Sequence, residues 1–107
     1  MEVVKLRRRG GQIVQGADIY IGRRCTLGGW NLPASKWANP FSVREHGREK
    51  SLLLYEDYLR RSPDLLRALP ELEGKILGCW CKPDSCHGDI LIKLYSESVN
   101  KGFTGLI

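Results

Sequence analysis

No apolar run in the chain approaches the ~20 residues that a membrane span needs, and no hydrophobic leader segment follows Met1. Both absences lead to the expectation of an intracellular, cytoplasmic protein with no membrane partner. No internal repeat and no linker breaks the sequence, which argues against a solenoid or tandem architecture. With 107 residues the chain has length for one core and not for two, so residues 1–107 read as a single domain.

What is present is ordinary in bulk and uneven in detail. A hydrophobic content of 42% and a charged content of 27% are those of a soluble globular protein. The net charge of +5 favours an anionic partner, a small nucleotide-like ligand or a nucleic acid. The basic residues gather in the first half: Arg7, Arg8 and Arg9 in one run, then Arg23, Arg24, Lys36 and Arg44. A solvated surface without a ligand accounts for the Arg7–Arg9 run equally well. Of four cysteines, Cys79, Cys81 and Cys86 fall within eight residues. Two cysteines on one strand are poorly placed to pair, so reduced thiols or metal ligands are expected here rather than a disulfide framework.

The hydrophobic periods sketch an α/β order. "VVKL" and "DIYIG" read as strands, separated by "RRRGGQIVQGA", whose glycines mark turns and whose Ile13 and Val14 extend a strand. Residues 23–47 show no period but carry Trp30, Trp37 and Phe41, aromatics that want burial or a ligand, so an ordered loop is expected. "REKSLLLYEDYLRRS" is an amphipathic helix with Leu52, Tyr55 and Leu59 inward and Leu53 beside them. "SPDLLRAL" begins a second helix with Ser62 as N-cap and Pro63 at its first position. "KILGCWC" is a buried strand broken by Lys82 and Pro83, and "CHGDILIKLYSES" a closing helix capped by Asp84 or Ser85. The fold expected is a small single-domain, three-layer-like α/β sandwich with a central, mostly parallel sheet, its central pair being "DIYIG" and "KILGCWC". In such sheets ligands bind beyond the carboxyl ends of the strands. That places the Arg23–Phe41 loop and the Cys81–Asp89 turn on one edge.

Two segments there can carry chemistry. In "CWCKPDSCHGD", Cys86 and His87 fall in the first turn of a helix, where free N–H groups favour an anion or a thiolate. Gly88 permits close approach of a ligand, and Asp89 offers a base. Zinc held by Cys81, Cys86 and His87, with Cys79 or Cys25, has suitable ligand types. Its C-x-C-x4-C-H spacing is not a usual knuckle, so no metal and no cofactor is assigned. A Cys86 nucleophile paired with His87 is the other sharp reading; an anion-binding strand–turn–helix with small buried cysteines is the broader one. In the second segment, "GRRCTLGGWNLPASKWANPF", Arg23 and Arg24 can clamp a phosphate or carboxylate. Lys36 adds a cation, Trp37 a stacking face and Asn39 an amide that reads polar edges.

The quoted segments, with "YIGRR", "YEDYL" and "LPELEGKILGCWCKPDSCHGDIL", resemble the family called domain of unknown function 4326 from about Asp18 to Leu94. Members occur in phages, large DNA viruses, bacteria and scattered eukaryotes. The shared signature is a strand ending in G-R, a K-W-x-N-P-F loop and C-W-C-x-P-x-x-C-H-G-D; the stretch "RCTLGGWNLPAS" is longer here than in many phage members. The resemblance implies a small α/β domain and supplies no substrate.

The expected function is binding, with or without chemical processing, of a nucleotide or nucleoside derivative. Arg23, Lys36 and the backbone N–H groups of Cys86–Gly88 meet the anion, Trp37 and Asn39 take the base, Cys81 contacts ligand, and Cys86, His87 and Asp89 are the catalytic candidates. The alternatives are a nucleic-acid-binding module using the basic N-terminal half and a small zinc-stabilised structural domain. Sequence leaves the oligomeric state open.

Overall fold

The computed structural model describes residues 1–81 and 84–105, with side chains through Val99. Lys82 and Pro83, the expected strand breakers, lie outside the described residues.

Four short strands open the chain: β1 (Glu2–Lys5), β2 (Arg7–Arg9), β3 (Gln12–Gln15) and β4 (Ile19–Tyr20). A fifth, β5 (Ile76–Cys79), comes after the helical crossover. The main sheet has the order β1-β5-β4, and both pairings are parallel. The expected β4–β5 pair is therefore present, and β1 flanks β5 on its other side. A strand paired on both edges and covered on both faces carries no charge, which is the composition of "ILGC".

The Arg7–Arg9 run is itself a strand, paired antiparallel with β3 in a separate hairpin. Gly10 and Gly11 turn that hairpin at φ 59° and 78°. A two-residue type I′ turn needs positive φ at both central positions, which glycine adopts without strain. Ile13 and Val14 are largely exposed on it, so the hairpin stands outside the core.

Between β4 and β5 run α1 (Val43–His46), α2 (Arg48–Arg60), α3 (Pro63–Ala68) and a 3₁₀ turn at Leu69–Leu72; α4 (His87–Gly105) closes the chain. Ser42 caps α1 by accepting from the N–H groups of Arg44 and Glu45. Ser62 occupies the N-cap position of α3, but its hydroxyl donates to the Tyr58 carbonyl at 2.6 Å and caps nothing. The inward face of α2 is Ser51, Tyr55 and Leu59; Leu52, expected inward, is only half-buried, and Leu53, expected beside it, is exposed. Ser51 takes the place assigned to a leucine because its hydroxyl is bonded on both sides, as described below. Among the described residues, no helix is long and apolar enough to cross a membrane.

Alternation along β5 sends Leu77 and Cys79 into one core with Tyr55, Leu59, Leu69, Leu72, Leu91 and Leu94. The opposite face at Gly78 is covered by irregular chain. A Cβ there would stand 2.7 Å from Leu6 Cδ2 and 2.8 Å from Ala17 Cβ. The layers are thus helices, parallel sheet, and a thin cover of connecting chain. Because β4 and β5 point the same way, the segments leaving Tyr20 and Cys79 emerge on one edge of the sheet.

Candidate functional site

Those two segments enclose a cleft of about 430 Å³. Tyr20 and Gly22–Cys25 form one wall, Asn39–Arg44 without Pro40 a second, and Cys79, Trp80, Cys81 and His87 the floor. The wall nearest β4 is fixed by aromatic packing. Trp80 Nε1 donates to the Tyr20 hydroxyl at 2.9 Å, and that hydroxyl donates onward to the Arg23 carbonyl. Gly22 is required because the Tyr20 ring crosses directly over it; a Cβ there would lie 2.5 Å from the phenol oxygen. Trp30 meets the Trp80 ring edge-on at 5.6 Å, and Arg8 from β2 covers Trp30 while donating to the Gly29 carbonyl at 2.7 Å. One arginine of the basic run is thereby committed to holding the loop.

The second wall hangs on α2. Asn39 Oδ1 accepts from the Phe41 N–H at 2.9 Å, while its Nδ2 donates to Ser51 Oγ at 2.8 Å. Ser51 in turn donates to the Phe41 carbonyl at 2.6 Å. The backbone carbonyl of Asn39 receives Nε and Nη2 of Arg23 at 3.1 and 3.0 Å, which ties the two walls together. Asn39 therefore lines the cleft with its amide already bonded to protein. Trp37 lies in the core, 2% exposed, beneath the Tyr55 hydroxyl that donates to its carbonyl. Burial pushes the Tyr55 phenol well above its ordinary range. Lys36 extends over the Trp37 ring and pairs with Glu71 at 2.9 Å. Lys36 and Trp37 are not among the residues lining the cleft.

The floor is built by the start of α4. Helix α4 begins at His87, so Cys86, and neither Asp84 nor Ser85, is the residue before it. Cys86 Sγ accepts the Gly88 N–H at 3.4 Å, while Asp89 Oδ2 reaches back to the Cys86 N–H at 3.0 Å. This is the reciprocal capping box with sulfur in place of a serine oxygen. The donors expected to meet an anion are thus satisfied within the protein at Cys86 and Gly88, and the Asp89 carboxylate is a cap. Gly88 does not admit a ligand either. Its missing Cβ would lie 2.7 Å from Val3 Cγ2 and 2.9 Å from Ile21 Cδ1, so the glycine lets α4 sit against β1 and the end of β4.

Three groups converge beneath the cleft: the donor atoms of Cys81, Cys86 and His87 lie within 4.8 Å of one another. Cys86 is fully buried and touches Cys79, sulfur to sulfur, at 2.9 Å. His87 Nδ1 lies 3.6 Å from Cys86 Sγ, and its Nε2 lies 2.6 Å from the Ile21 carbonyl. Cys81 is only partly buried. Hydrogen bonding from the Cys79 thiol, then from Cys86 and from Arg48, draws the Cys81 pKa down, which favours its thiolate form. The same sharing, with burial, pushes Cys86 up and keeps it a thiol. Arg48 also holds the turn from outside, donating to the Ser85 carbonyl at 2.9 Å and facing Asp84 at 3.6 Å.

Residues 4–97 match the family described as domain of unknown function DUF4326. The chain belongs to that family. A relative 44% identical, aligned over 87% of this chain and 78% of its own length, is an uncharacterized protein of Acanthamoeba polyphaga mimivirus. Another, 35% identical over 63% of this chain and 66% of its own length, is an uncharacterized 12.4 kDa protein in the nrdA-td intergenic region of Enterobacteria phage T4. No solved structure matches the chain.

Of the residues singled out in the sequence, the cleft brings together Arg23, Asn39, Cys81 and His87, with Cys86 and its cap Asp89 directly behind. Arg24, expected beside Arg23 as an anion clamp, also lines it, and so do Tyr20, Ser42 and Arg44, which were not named as ligand contacts. Tyr20 sits two residues before the G-R of the strand end, on the face opposite Ile21, so the strand period carried that signal. Ser42 and Arg44 follow N-P-F without a pattern that marks them.

Proposed function

We propose that the cleft binds a nucleotide or nucleoside derivative. The observation that carries this reading is the composition of one 430 Å³ cleft at the carboxyl edge of a parallel sheet. It joins the guanidinium groups of Arg23, Arg24 and Arg44, the rings of Phe41 and Trp80, and the Cys81 sulfur beside the His87 imidazole. The volume is that of a small-ligand pocket. Arginine forks suit a phosphate, and ring faces suit a base. The anion then sits against Arg24 and Arg44 at the exposed rim, because Arg23 is partly occupied by the Asn39 carbonyl. The base takes the Phe41–Trp80 side. Chemistry on the ligand falls to Cys81, which presents its thiolate, with His87 behind it. This assignment moves the reactive thiol from Cys86 to Cys81.

The test is calorimetric titration with a panel of nucleosides and their mono-, di- and triphosphates. Binding is expected for at least one, weakened about tenfold or more in Arg24→Ala, a ~1.4 kcal/mol loss. Binding should be unchanged when Arg7 and Arg9 are both replaced by alanine. Silence across the panel would sink the reading, and a ligand lost only with Arg7 and Arg9 would favour a nucleic-acid surface instead.

A further inference from the structure

We infer that Cys81, Cys86 and His87 form an open three-ligand zinc site whose fourth position faces the cleft. The convergence of their donor atoms within 4.8 Å is the first ground. The second is a distance. Zinc bonds of about 2.3 Å to sulfur and 2.0–2.1 Å to nitrogen, at a tetrahedral angle, separate the two donors by roughly 3.6 Å. Cys86 Sγ and His87 Nδ1 are 3.6 Å apart. Adjacent residues within a helix would not aim at one point, but Cys86 precedes the helix and His87 begins it.

The third ground is how the imidazole is held. A carbonyl oxygen only accepts, so His87 Nε2 carries the ring proton to Ile21 and Nδ1 keeps its lone pair toward the sulfurs. Metal-ligating histidines are oriented by this kind of bond on the other nitrogen. Two sulfurs and an imidazole select zinc over magnesium or calcium, which take oxygen ligands. Cys79 is not the fourth ligand. Two thiolates on one zinc stand roughly 3.8 Å apart, and Cys79 Sγ is 2.9 Å from Cys86 Sγ.

Cys81 and His87 both line the cleft, whereas Cys86 lies behind it. An ion among the three thus has protein on one side and the cleft on the other. Three protein ligands with an open position is the pattern of a reactive zinc rather than a structural one, which is closed by four. The open position is where water or a ligand atom would bind. Metal binding stands independently of nucleotide binding; what occupies the open position rests on that reading, and with zinc bound Cys81 and His87 are ligands, so the chemistry assigned to them passes to that position.

The experiment loads chelator-stripped, reduced protein with Co²⁺ and with Zn²⁺. About one ion per chain is expected, with cobalt giving a thiolate charge-transfer band in the near ultraviolet and tetrahedral d–d bands. Removing a partner of a metal ligand typically weakens affinity 10–100-fold, so Cys81→Ser, which loses a ligand itself, should weaken zinc by at least ~100-fold. Cys25→Ser should leave it unchanged. Cys86→Ser is buried and can fail to fold, so the partly exposed Cys81→Ser and the cobalt spectrum carry the test. No charge-transfer band, or zinc retained unweakened by Cys81→Ser, would overturn the site. Titrating nucleotides into stripped and zinc-loaded protein separates the two ideas. Zinc bound without any nucleotide affinity removes only the nucleotide reading, and nucleotide bound with no metal affinity removes only the zinc.

Discussion

His87 Nε2 lies 2.6 Å from the carbonyl oxygen of Ile21, and this bond joins the start of α4 to the end of β4. It sets the ring tautomer and closes the floor of the cleft in one contact. Ile21 is fully buried, so without a donor its carbonyl would be stranded. His87→Leu is expected to cost about 1–3 kcal/mol for that reason alone. Urea denaturation of wild type and variant, both stripped with chelator, measures it free of any metal effect. Equal midpoints and slopes would remove the bond from the account of stability.

Gly88 gives a prediction whose sign opposes helix propensity. Alanine in the first turn of a helix is normally preferred to glycine by up to about 1 kcal/mol. Here the added methyl would meet Val3 at 2.7 Å and Ile21 at 2.9 Å, both side chains of the sheet. Overpacking of this kind costs about 1–3 kcal/mol, so Gly88→Ala should be destabilised. A stabilised variant in the same urea experiment would show that α4 can back away from β1 at little cost.

The same glycine shows how far the sequence could be read. Period and composition were enough for the parallel β4–β5 pair, the crossover helices and the sheet edge where the two unusual segments meet. Those properties depend on local alternation and chain order. They were not enough to say which way each polar group is spent. Asn39, Lys36 and Trp37 have the chemistry of ligand contacts, but Ser51, Glu71 and Tyr55, 12 to 35 residues away, take up the amide, the ammonium and the Trp37 carbonyl. Cys86 and Cys81 differ by which one α4 buries, a fact set by the capping box rather than by their neighbours in sequence. Arg7–Arg9 read as a charge run because a hairpin with two exposed faces leaves no hydrophobic alternation to detect.

The K-W-x-N-P-F loop can be sorted by mutation. Asn39→Asp keeps the acceptor for Phe41 but removes the donor to Ser51, whose oxygen is fully buried. A loss of about 1–3 kcal/mol is expected from the unpaired group, with Arg23 and the cleft wall disturbed. Lys36→Ala breaks an exposed pair with Glu71, both side chains at least half exposed, and a contact over the Trp37 ring, and should change stability by about 1 kcal/mol or less. Thermal melts of both variants, followed by ligand titration, distinguish scaffold from contact. If Lys36→Ala weakened ligand binding while Asn39→Asp left it intact, the placement of these roles would have to be reversed.

Between α2 and α4, Glu56 accepts from Lys93 at 2.9 Å and from Arg60 at 3.1 Å, and Arg60 reaches on to Glu97 at 3.0 Å. The Lys93 hydrogen bond, followed by that of Arg60, holds the Glu56 carboxyl below its ordinary range. A carboxylate whose folded pKa is depressed contributes stability above its unfolded pKa and loses it as pH falls through the folded one. Wild type should therefore exceed Glu56→Gln in stability near pH 7, and the gap should close below about pH 4. Because the partners reach solvent, the gap should be small, about 1 kcal/mol or less, and should shrink in high salt. Urea midpoints of the two proteins at both pH values provide the check. A gap that stayed constant with pH would mean that ionisation of Glu56 is not what joins the helices.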